Sequence, residues 1–399
     1  MDEEMCDYGF DTIAIHGGYS FRESLRYETS VVPIIQSAVY PFESSEYAAK
    51  LFKYEVEGFI YGRIDNPTNA VFEKRIAGLE GGEAGLATSS GMAAIFMVAH
   101  HLVQVGDEIV SSNRVYGGTF ELFDVSMKKM GVKVNWVGEP EKMESWERAI
   151  TPRTKFLHLE SPSNPNLFVG DIPALAELAH SHNIPLVVDN TICTPALQRP
   201  LSLGADVVVH SATKYLCGNA TSISGVIVGK EEFINRIRAE GYRNMGPSLS
   251  PFNAWLNLLG METLSLRMER HSSNALKVAK FLEGHKKVSS VHYPGLETDP
   301  YHEVARRQMT AFSSLLCFET RGTEQDAMKF IDNLKLITHT THLGSSKTIA
   351  THPASTTHEQ LGREERYKAG IGDTMIRMSV GLEDPDDLCR DLDNALNSL

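Results

Sequence analysis

Apolar and polar positions change rhythm twice along this chain. Between about Asn69 and Lys230, amphipathic stretches of roughly ten to fourteen residues alternate with short β-branched runs. NAVFEKRIAGLEG reads as a helix before the strand-like EAGLATSS, and GMAAIFMVAHHLVQ as a helix before DEIVSSN. TFELFDVSMKKMG precedes VKVNWV, EKMESWERAI precedes KFLHLES, and IPALAELAHSHN precedes IPLVVDN, with ADVVVHSA and SGVIVGK following. This alternation predicts an α/β unit whose central sheet is mostly parallel and has helices on both faces. Ligands of such sheets collect beyond the carboxyl ends of the strands. Polar residues fall at those ends: Ser89 and Ser90, Asn113, Glu160 and Ser161, Asp189 and Asn190, and Ser211.

The flanks read differently. Residues 1–65 are broken by proline, glycine and serine, as in SVVPIIQSAVYPFESS, and predict an arm that packs on another domain or subunit. From Asn253 a long helical stretch, NAWLNLLGMETLSLRMERHSSNALKVAKFLEGH, leads into VSSVHYP, SSLLCFET, EQDAMKFIDNLKL, TMIRMSV and a final helix DPDDLCRDLDNALNSL. Two or three strands with flanking helices predict a smaller α+β domain over 253–399, beside a ligand-binding α/β domain over 66–252. A chain of 399 residues is long for one core, which agrees with several units.

Charge and composition narrow the function classes. The formal charge of −13 argues against a nucleic-acid backbone or an anionic membrane as partner. MDEEMCDYGFD has no apolar core, and AAIFMVAHHLVQV is too short to cross a bilayer, so a cytoplasmic protein is expected. Cys6, Cys193, Cys217, Cys317 and Cys389 show neither a disulfide framework nor a zinc spacing. His339, His342, His352 and His358 form a loose cluster without helical ligand spacing, so no metal is expected. GVIVGK is not a nucleotide P-loop, and no GxGxxG follows a strand.

Three features at strand ends carry candidate chemistry. Lys214 follows the apolar ADVVVH in HSATKYLCGN, where an unpartnered ammonium is costly. Asp189 closes IPLVVD, a poor place for a lone carboxylate. Ser90-Gly91-Met92 joins a strand to a helix, so its N–H groups can face an anion. Singly, each has a plain structural reading: a turn cap, a lysine reaching solvent, a common turn. Together with Ser211 and Thr213 they suit pyridoxal 5′-phosphate, which needs an amine for its aldehyde, donors for its phosphate and a carboxylate beside its ring nitrogen.

Nine segments in order, YGRIDNPT, SSGMAAI, YGGTF, ESPSNP, VVDNT, SATK, GPSLSPFNAWL, HPASTTH and IRMSVGLED, resemble the Cys/Met-metabolism family of pyridoxal-phosphate enzymes over nearly the whole chain. The resemblance implies an aspartate-aminotransferase-like fold (fold type I). It makes Lys214 the Schiff-base lysine, Asp189 the partner of the ring nitrogen, and Gly91, Met92, Ser211 and Thr213 the phosphate ligands. Tyr116 is implied to stack on the ring and help move protons. Tyr61 and Arg63 are implied to reach the phosphate of a neighbouring subunit, in a homotetramer built as a dimer of dimers with shared active sites. Arg377 is implied to clamp the substrate α-carboxylate, Asn164 to bind near it or near the cofactor hydroxyl, and His342 to lie beside it. Without the resemblance, Tyr61 reads as a packed aromatic, Arg377 as a strand-edge surface residue and Tyr116 as part of a turn.

Within that family, Thr341-His342-Leu343-Gly344 lacks the glutamate that holds the distal amino group of cystathionine, and Gly118 stands where well-known methionine γ-lyases carry cysteine. GPSLSPFNAWL, AKLFKYEVEGFIYGRIDNPT and GIGDTMIRMSVGLED are most similar to homoserine-ester sulfhydrylases, and the absence of an extra loop after the lysine strand favours the compact O-succinylhomoserine branch. His342 and Asn219-Ala220 depart from the family pattern. The expected function is a sulfhydrylase making homocysteine from an activated homoserine and sulfide. The alternative is a γ-lyase releasing 2-oxobutanoate, ammonia and a thiol. A cofactor-binding protein without turnover is a third reading.

Overall fold

The computed structural model describes residues 8–53, 55–357, 359, 362–368 and 370–399. Seven strands form its larger sheet: β1 (Ala84–Thr88), β2 (Glu108–Ser112), β3 (Lys133–Val137), β4 (Thr154–Glu160), β5 (Leu186–Asp189), β6 (Val207–His210) and β7 (Gly225–Gly229). Their order is β1-β7-β6-β5-β4-β2-β3. β7 runs antiparallel to β1 and β6, while the other neighbours pair in parallel. The carboxyl ends of β1, β2, β4, β5 and β6 therefore share one edge.

The continuous apolar runs in β5 and β6 follow from burial on both faces. Successive side chains alternate across a strand, so Val187 joins the core layer beneath the helix Gly91–Leu102 while Val188 joins the layer beneath the helix Ile172–Ser181. Each such side chain contributes on the order of 1.5–3 kcal/mol by leaving water. The helix Pro67–Glu80 shows how sequence fixes the ends: Asn66 accepts the N–H groups of Thr68 and Asn69, proline fills the first turn, and Gly81 ends it in the left-handed conformation (φ 75°).

The smaller sheet has five strands rather than two or three: β8 (Val288–His292), β9 (Leu315–Thr320), β10 (Thr338–His339), β11 (Ile349–Thr351) and β12 (Met375–Ser379), in the order β10-β11-β12-β9-β8. β10 and β11 are two and three residues long, too short to show a period. The long helical stretch after Asn253 is also two helices, Pro251–Met261 and Leu264–Glu283. Arg267 Nη2 crosses the break and donates to the Gly260 carbonyl (2.6 Å), an acceptor freed at the end of the first helix. That first helix passes so close to the turn after Lys214 that a Cβ at 260 would collide with the carbonyl oxygens of Leu216 and Cys217.

Three short helices, Phe10–His16, Phe21–Tyr27 and Ser45–Phe52, lie in the first 65 residues, where no regular alternation is legible. Ile13, Ala14, Tyr19 and Val32 pack with Phe72 and Ile76, in a core that also takes in Tyr215 and, from the smaller sheet, Cys317 and Met375. Phe21, Leu25 and Val39 stand in solvent. Among the described residues no helix is long and apolar enough to cross a membrane, and no group of three His, Cys, Asp or Glu could hold a metal ion. Cys6 and His358 lie outside the described residues. Cys193, Cys217, Cys317 and Cys389 are free thiols.

Candidate active site

The turn carrying Lys214 leaves β6 and is fastened from several sides. The Thr213 N–H and hydroxyl both donate to Ser224 O (3.2 and 3.1 Å), and the Ser224 N–H donates back to Thr213 Oγ1 (2.9 Å). Arg267 Nη1 donates to Tyr215 O (2.8 Å). Gly344 lies on the same backbone, where a Cβ would come within 2.7 Å of Tyr215 N. The Lys214 amine that projects from this turn lies 3.3 Å from His342 Nδ1. Burial, then the nearby charge of Arg377, pushes its pKa down to about 8, so a neutral amine is accessible near physiological pH.

Asp189 and Glu160 end adjacent parallel strands and are register partners. Both are buried. Asp189 Oδ1 accepts the Thr191 N–H (2.9 Å), and Thr191 Oγ1 accepts the Ser211 N–H (2.8 Å), which ties the carboxylate to the end of β6. Glu160 accepts the N–H of Tyr116 (2.7 Å) and that of Asn164 (2.8 Å). Burial raises both carboxyl groups, and the charge of Asp189 helps push Glu160 up to about 8. Among the described residues neither has an ion-pair partner. Two buried carboxylates without a cation suit a ligand that brings a protonated ring nitrogen.

The donor set for a phosphate stands beside them. Ser90 Oγ caps the helix Gly91–Leu102 by accepting the Ala93 N–H (3.1 Å), while the Gly91 and Met92 N–H groups open its first turn. A Cβ at 91 would lie 2.6 Å from Ser211 Cβ, so only glycine lets the helix start sit against the end of β6. The residues thus fit pyridoxal phosphate at its ring nitrogen, its phosphate and its aldehyde. The Thr213 hydroxyl proton already serves Ser224 O and must turn to reach a phosphate.

Arg377 is not a surface residue: it is 3% exposed, and β12 lies inside the smaller sheet between β11 and β9. Its Nη1 donates to Asn164 Oδ1 (3.1 Å), and its Nη2 donates to the carbonyls of Thr341 (3.1 Å) and His342 (2.9 Å). Among the described residues, its Nε is buried without a hydrogen-bond partner. A desolvated guanidinium without a carboxylate is a receptor for one. Tyr116, 48% exposed, opens the short helix Gly117–Glu121. A Cβ at 118 would lie 2.5 Å from Tyr116 Cε1 and 3.2 Å from Met92 Sδ, so the ring occupies the space over Gly118.

Lys214, His342, Arg377, Asn164, Glu160 and Tyr116 are thus linked contact by contact, with Asp189, Ser211 and Gly91 alongside. Tyr61 and Arg63 are not joined to them. Tyr61 is 41% exposed and bridges Val39, and Arg63 stacks over its ring and bonds the Arg243 carbonyl. Asn219 and Ala220 are exposed, with the Asn219 amide oxygen accepting from Thr221 (2.5 Å from its hydroxyl). The loose histidine cluster disperses: His339 is exposed, and His352 bonds Ser355 and the Asp373 carbonyl. Glu160 is the residue that sequence reading left without a role. It closes the apolar KFLHLE as Asp189 closes IPLVVD, and that was the available signal.

Residues 11–397 match the family described as Cys/Met metabolism PLP-dependent enzyme. The chain is 44% identical to an O-succinylhomoserine sulfhydrylase of Pseudomonas aeruginosa over 100% of this chain and 98% of that protein. It is 42% identical to an L-methionine gamma-lyase of Treponema denticola over 100% of this chain and 99% of that one. Among solved structures, a Campylobacter jejuni protein described as an O-acetylhomoserine (thiol)-lyase superposes with a TM-score of 0.94 at 36% identity, covering 98% of this chain and 100% of its own. That protein carries a pyridoxyl-lysine phosphate.

Proposed function

Because the chain belongs to the family of Cys/Met metabolism PLP-dependent enzymes, we propose that it is a homoserine-ester sulfhydrylase, joining an O-acylhomoserine and sulfide to give homocysteine and the free carboxylic acid. Its cofactor is pyridoxal 5′-phosphate. When bound, this group supplies an electron-withdrawing ring that stabilises negative charge on the carbons of an attached amino acid.

The chain's own residues do the rest. Lys214 anchors the cofactor and, as a free amine, carries protons between substrate carbons. Asp189 keeps the ring nitrogen protonated, and the N–H groups of Gly91 and Met92 hold the phosphate with the hydroxyls of Ser211 and Thr213. Tyr116 covers the ring, while Arg377, Asn164 and His342 seat the substrate carboxylate. Tyr61 and Arg63 complete the phosphate site of a neighbouring subunit in a cytoplasmic homotetramer, which accounts for their exposure and for the apolar residues left bare on the arm, residues 1–65. The remaining units of this reading are the cofactor domain over 66–252 and a C-terminal domain over 253–399.

One observation carries the reading: a largely buried amine with a depressed pKa and a buried guanidinium with no carboxylate partner among the described residues meet on one residue, since Lys214 Nζ bonds the His342 ring and Arg377 bonds its carbonyl. The loop Thr341–Gly344 offers no carboxylate to a distal ammonium, which suits an acyl ester with a neutral or anionic end. A γ-lyase acting on methionine, adding water and releasing 2-oxobutanoate, ammonia and methanethiol, is the second reading, supported by the identity to such enzymes. Purified protein given O-succinylhomoserine and sulfide should form homocysteine rapidly. Faster release of 2-oxo acid from methionine alone would replace the first reading by the second.

A further inference from the structure

We propose that Glu160 is a positioning residue of this site, one buried carboxylate whose two oxygens fix the placement of both the Tyr116 ring and the Asn164 amide. The inference rests on the reading of Tyr116 and Asn164 as site residues. Glu160 is the last residue of β4, which lies inside the sheet, hydrogen-bonded to β2 on one side and β5 on the other. Tyr116 arrives on the loop after β2, and Asn164 on the loop after β4 itself. The two loops meet on one carboxyl group: Oε2 accepts the Tyr116 N–H at 2.7 Å and Oε1 the Asn164 N–H at 2.8 Å. The Asn164 amide oxygen in turn accepts from Arg377 Nη1 at 3.1 Å. A continuous run, Tyr116–Glu160–Asn164–Arg377, thereby joins the residue over the ring to the receptor for the substrate carboxylate.

Residue type supports a role beyond filling space. Two N–H donors converge on the end of one side chain, so both of its terminal atoms must accept. Glutamine has the same shape but only one oxygen, and its NH2 group would confront the second N–H. A carboxyl group is the side chain that serves both, since each of its oxygens can accept whether or not the group is protonated, and it is kept here although its register partner is another buried carboxyl group, Asp189. Burying two such groups side by side costs stability, and the strand ends retain both.

The test compares wild type with Glu160→Gln as fully cofactor-loaded holoenzymes, with loading measured by borohydride-trapped adduct. Visible-region circular dichroism of the bound cofactor reports how the ring is held and does not depend on turnover. The expected result is a changed cofactor dichroism band in the loaded variant, with kcat/KM reduced roughly tenfold to a hundredfold and a rise in KM for the amino acid. The Glu160→Gln, Asn164→Ala double variant should lose less than the product of the single losses. A variant that melts earlier yet keeps the native band and native kinetics once loaded would overturn the proposal and leave Glu160 a structural residue. If Glu160→Gln does not fold, Glu160→Asp, which keeps both oxygens one methylene shorter, carries the same measurements with the same two outcomes. Failure of the wild type to turn over any acylhomoserine or thioether would sink the functional reading, whereas the dichroism comparison would still decide the role of Glu160.

Discussion

The amine of Lys214 and the imidazole of His342 lie 3.3 Å apart, nitrogen to nitrogen, in a site that also holds the Arg377 guanidinium. Burial, then the two neighbouring cations, holds the His342 pKa down to about 4, so its ring is neutral at physiological pH. A neutral Nδ1 can accept from an ammonium or donate to an amine, depending on tautomer. The imidazole therefore tolerates Lys214 in either protonation state, as the proposed proton-carrying role of that lysine requires.

Replacing the lysine exposes what its burial costs. In the cofactor-free protein the Lys214 amine titrates near 8 rather than at 10.5. Between those values the unfolded chain holds a proton that the folded one has lost, so wild-type stability rises with pH across that window. Cofactor-free Lys214→Met should be more stable than wild type below pH 8 by up to about 3 kcal/mol, with the gap closing towards pH 10.5. Urea midpoints measured at pH 7 and pH 10 check this; a gap that does not change with pH would refute it.

Gly118→Cys should not convert the protein into a γ-lyase. Its Cβ would meet the Tyr116 ring at 2.5 Å and Met92 Sδ at 3.2 Å, so the ring must shift. Sulfhydrylase kcat is expected to fall at least about tenfold, without a matching gain in methionine breakdown. Parallel assays with acylhomoserine plus sulfide and with methionine alone decide it, and a net gain in methionine turnover would contradict the steric account.

Arg377→Lys keeps a positive charge and loses the planar fork that now reaches Asn164, Thr341 and His342. One ammonium cannot span those acceptors and a substrate carboxylate together. KM for the amino acid should rise about tenfold to a hundredfold, equivalent to roughly 1.4–3 kcal/mol. An unchanged KM would remove Arg377 from the carboxylate site.

If Tyr61 and Arg63 serve a neighbouring subunit, Arg63→Ala and Lys214→Ala should complement each other. In a hybrid dimer one site combines both lesions while the other has neither. Random reassortment of equal amounts then restores up to roughly a quarter of wild-type activity for a two-fold pair. Verified mixed oligomers no more active than the sum of the separate variants would place both residues outside the site.

Much of the site is legible in the chain because burial and polarity conflict there. Lys214 behind ADVVVH and Asp189 behind IPLVVD stand out for the same reason, and the structure buries Asp189 and most of Lys214. Glu160 behind KFLHLE carried the same signal, yet its work is done by accepting backbone N–H groups from two loops, which only folded coordinates bring together. Arg377 was ambiguous because its strand is covered by β11, a segment too short to announce itself. The break between Met261 and Leu264 is marked in the chain only by Gly260 and Thr263 within an otherwise helix-forming run, and the contact that goes with it, Arg267 Nη2 donating to the Gly260 carbonyl, is visible only in the fold.

That tight contact has a reach of its own. The bare backbone at position 260 leaves no slack between the helix Pro251–Met261 and the carbonyls of Leu216 and Cys217, so the turn that carries Lys214 takes its place in part from that helix. A single added methyl group there would act as a wedge, displacing the amine without altering any residue that handles substrate. Loss of colour in such a variant would mark a defect of leverage, not of chemistry.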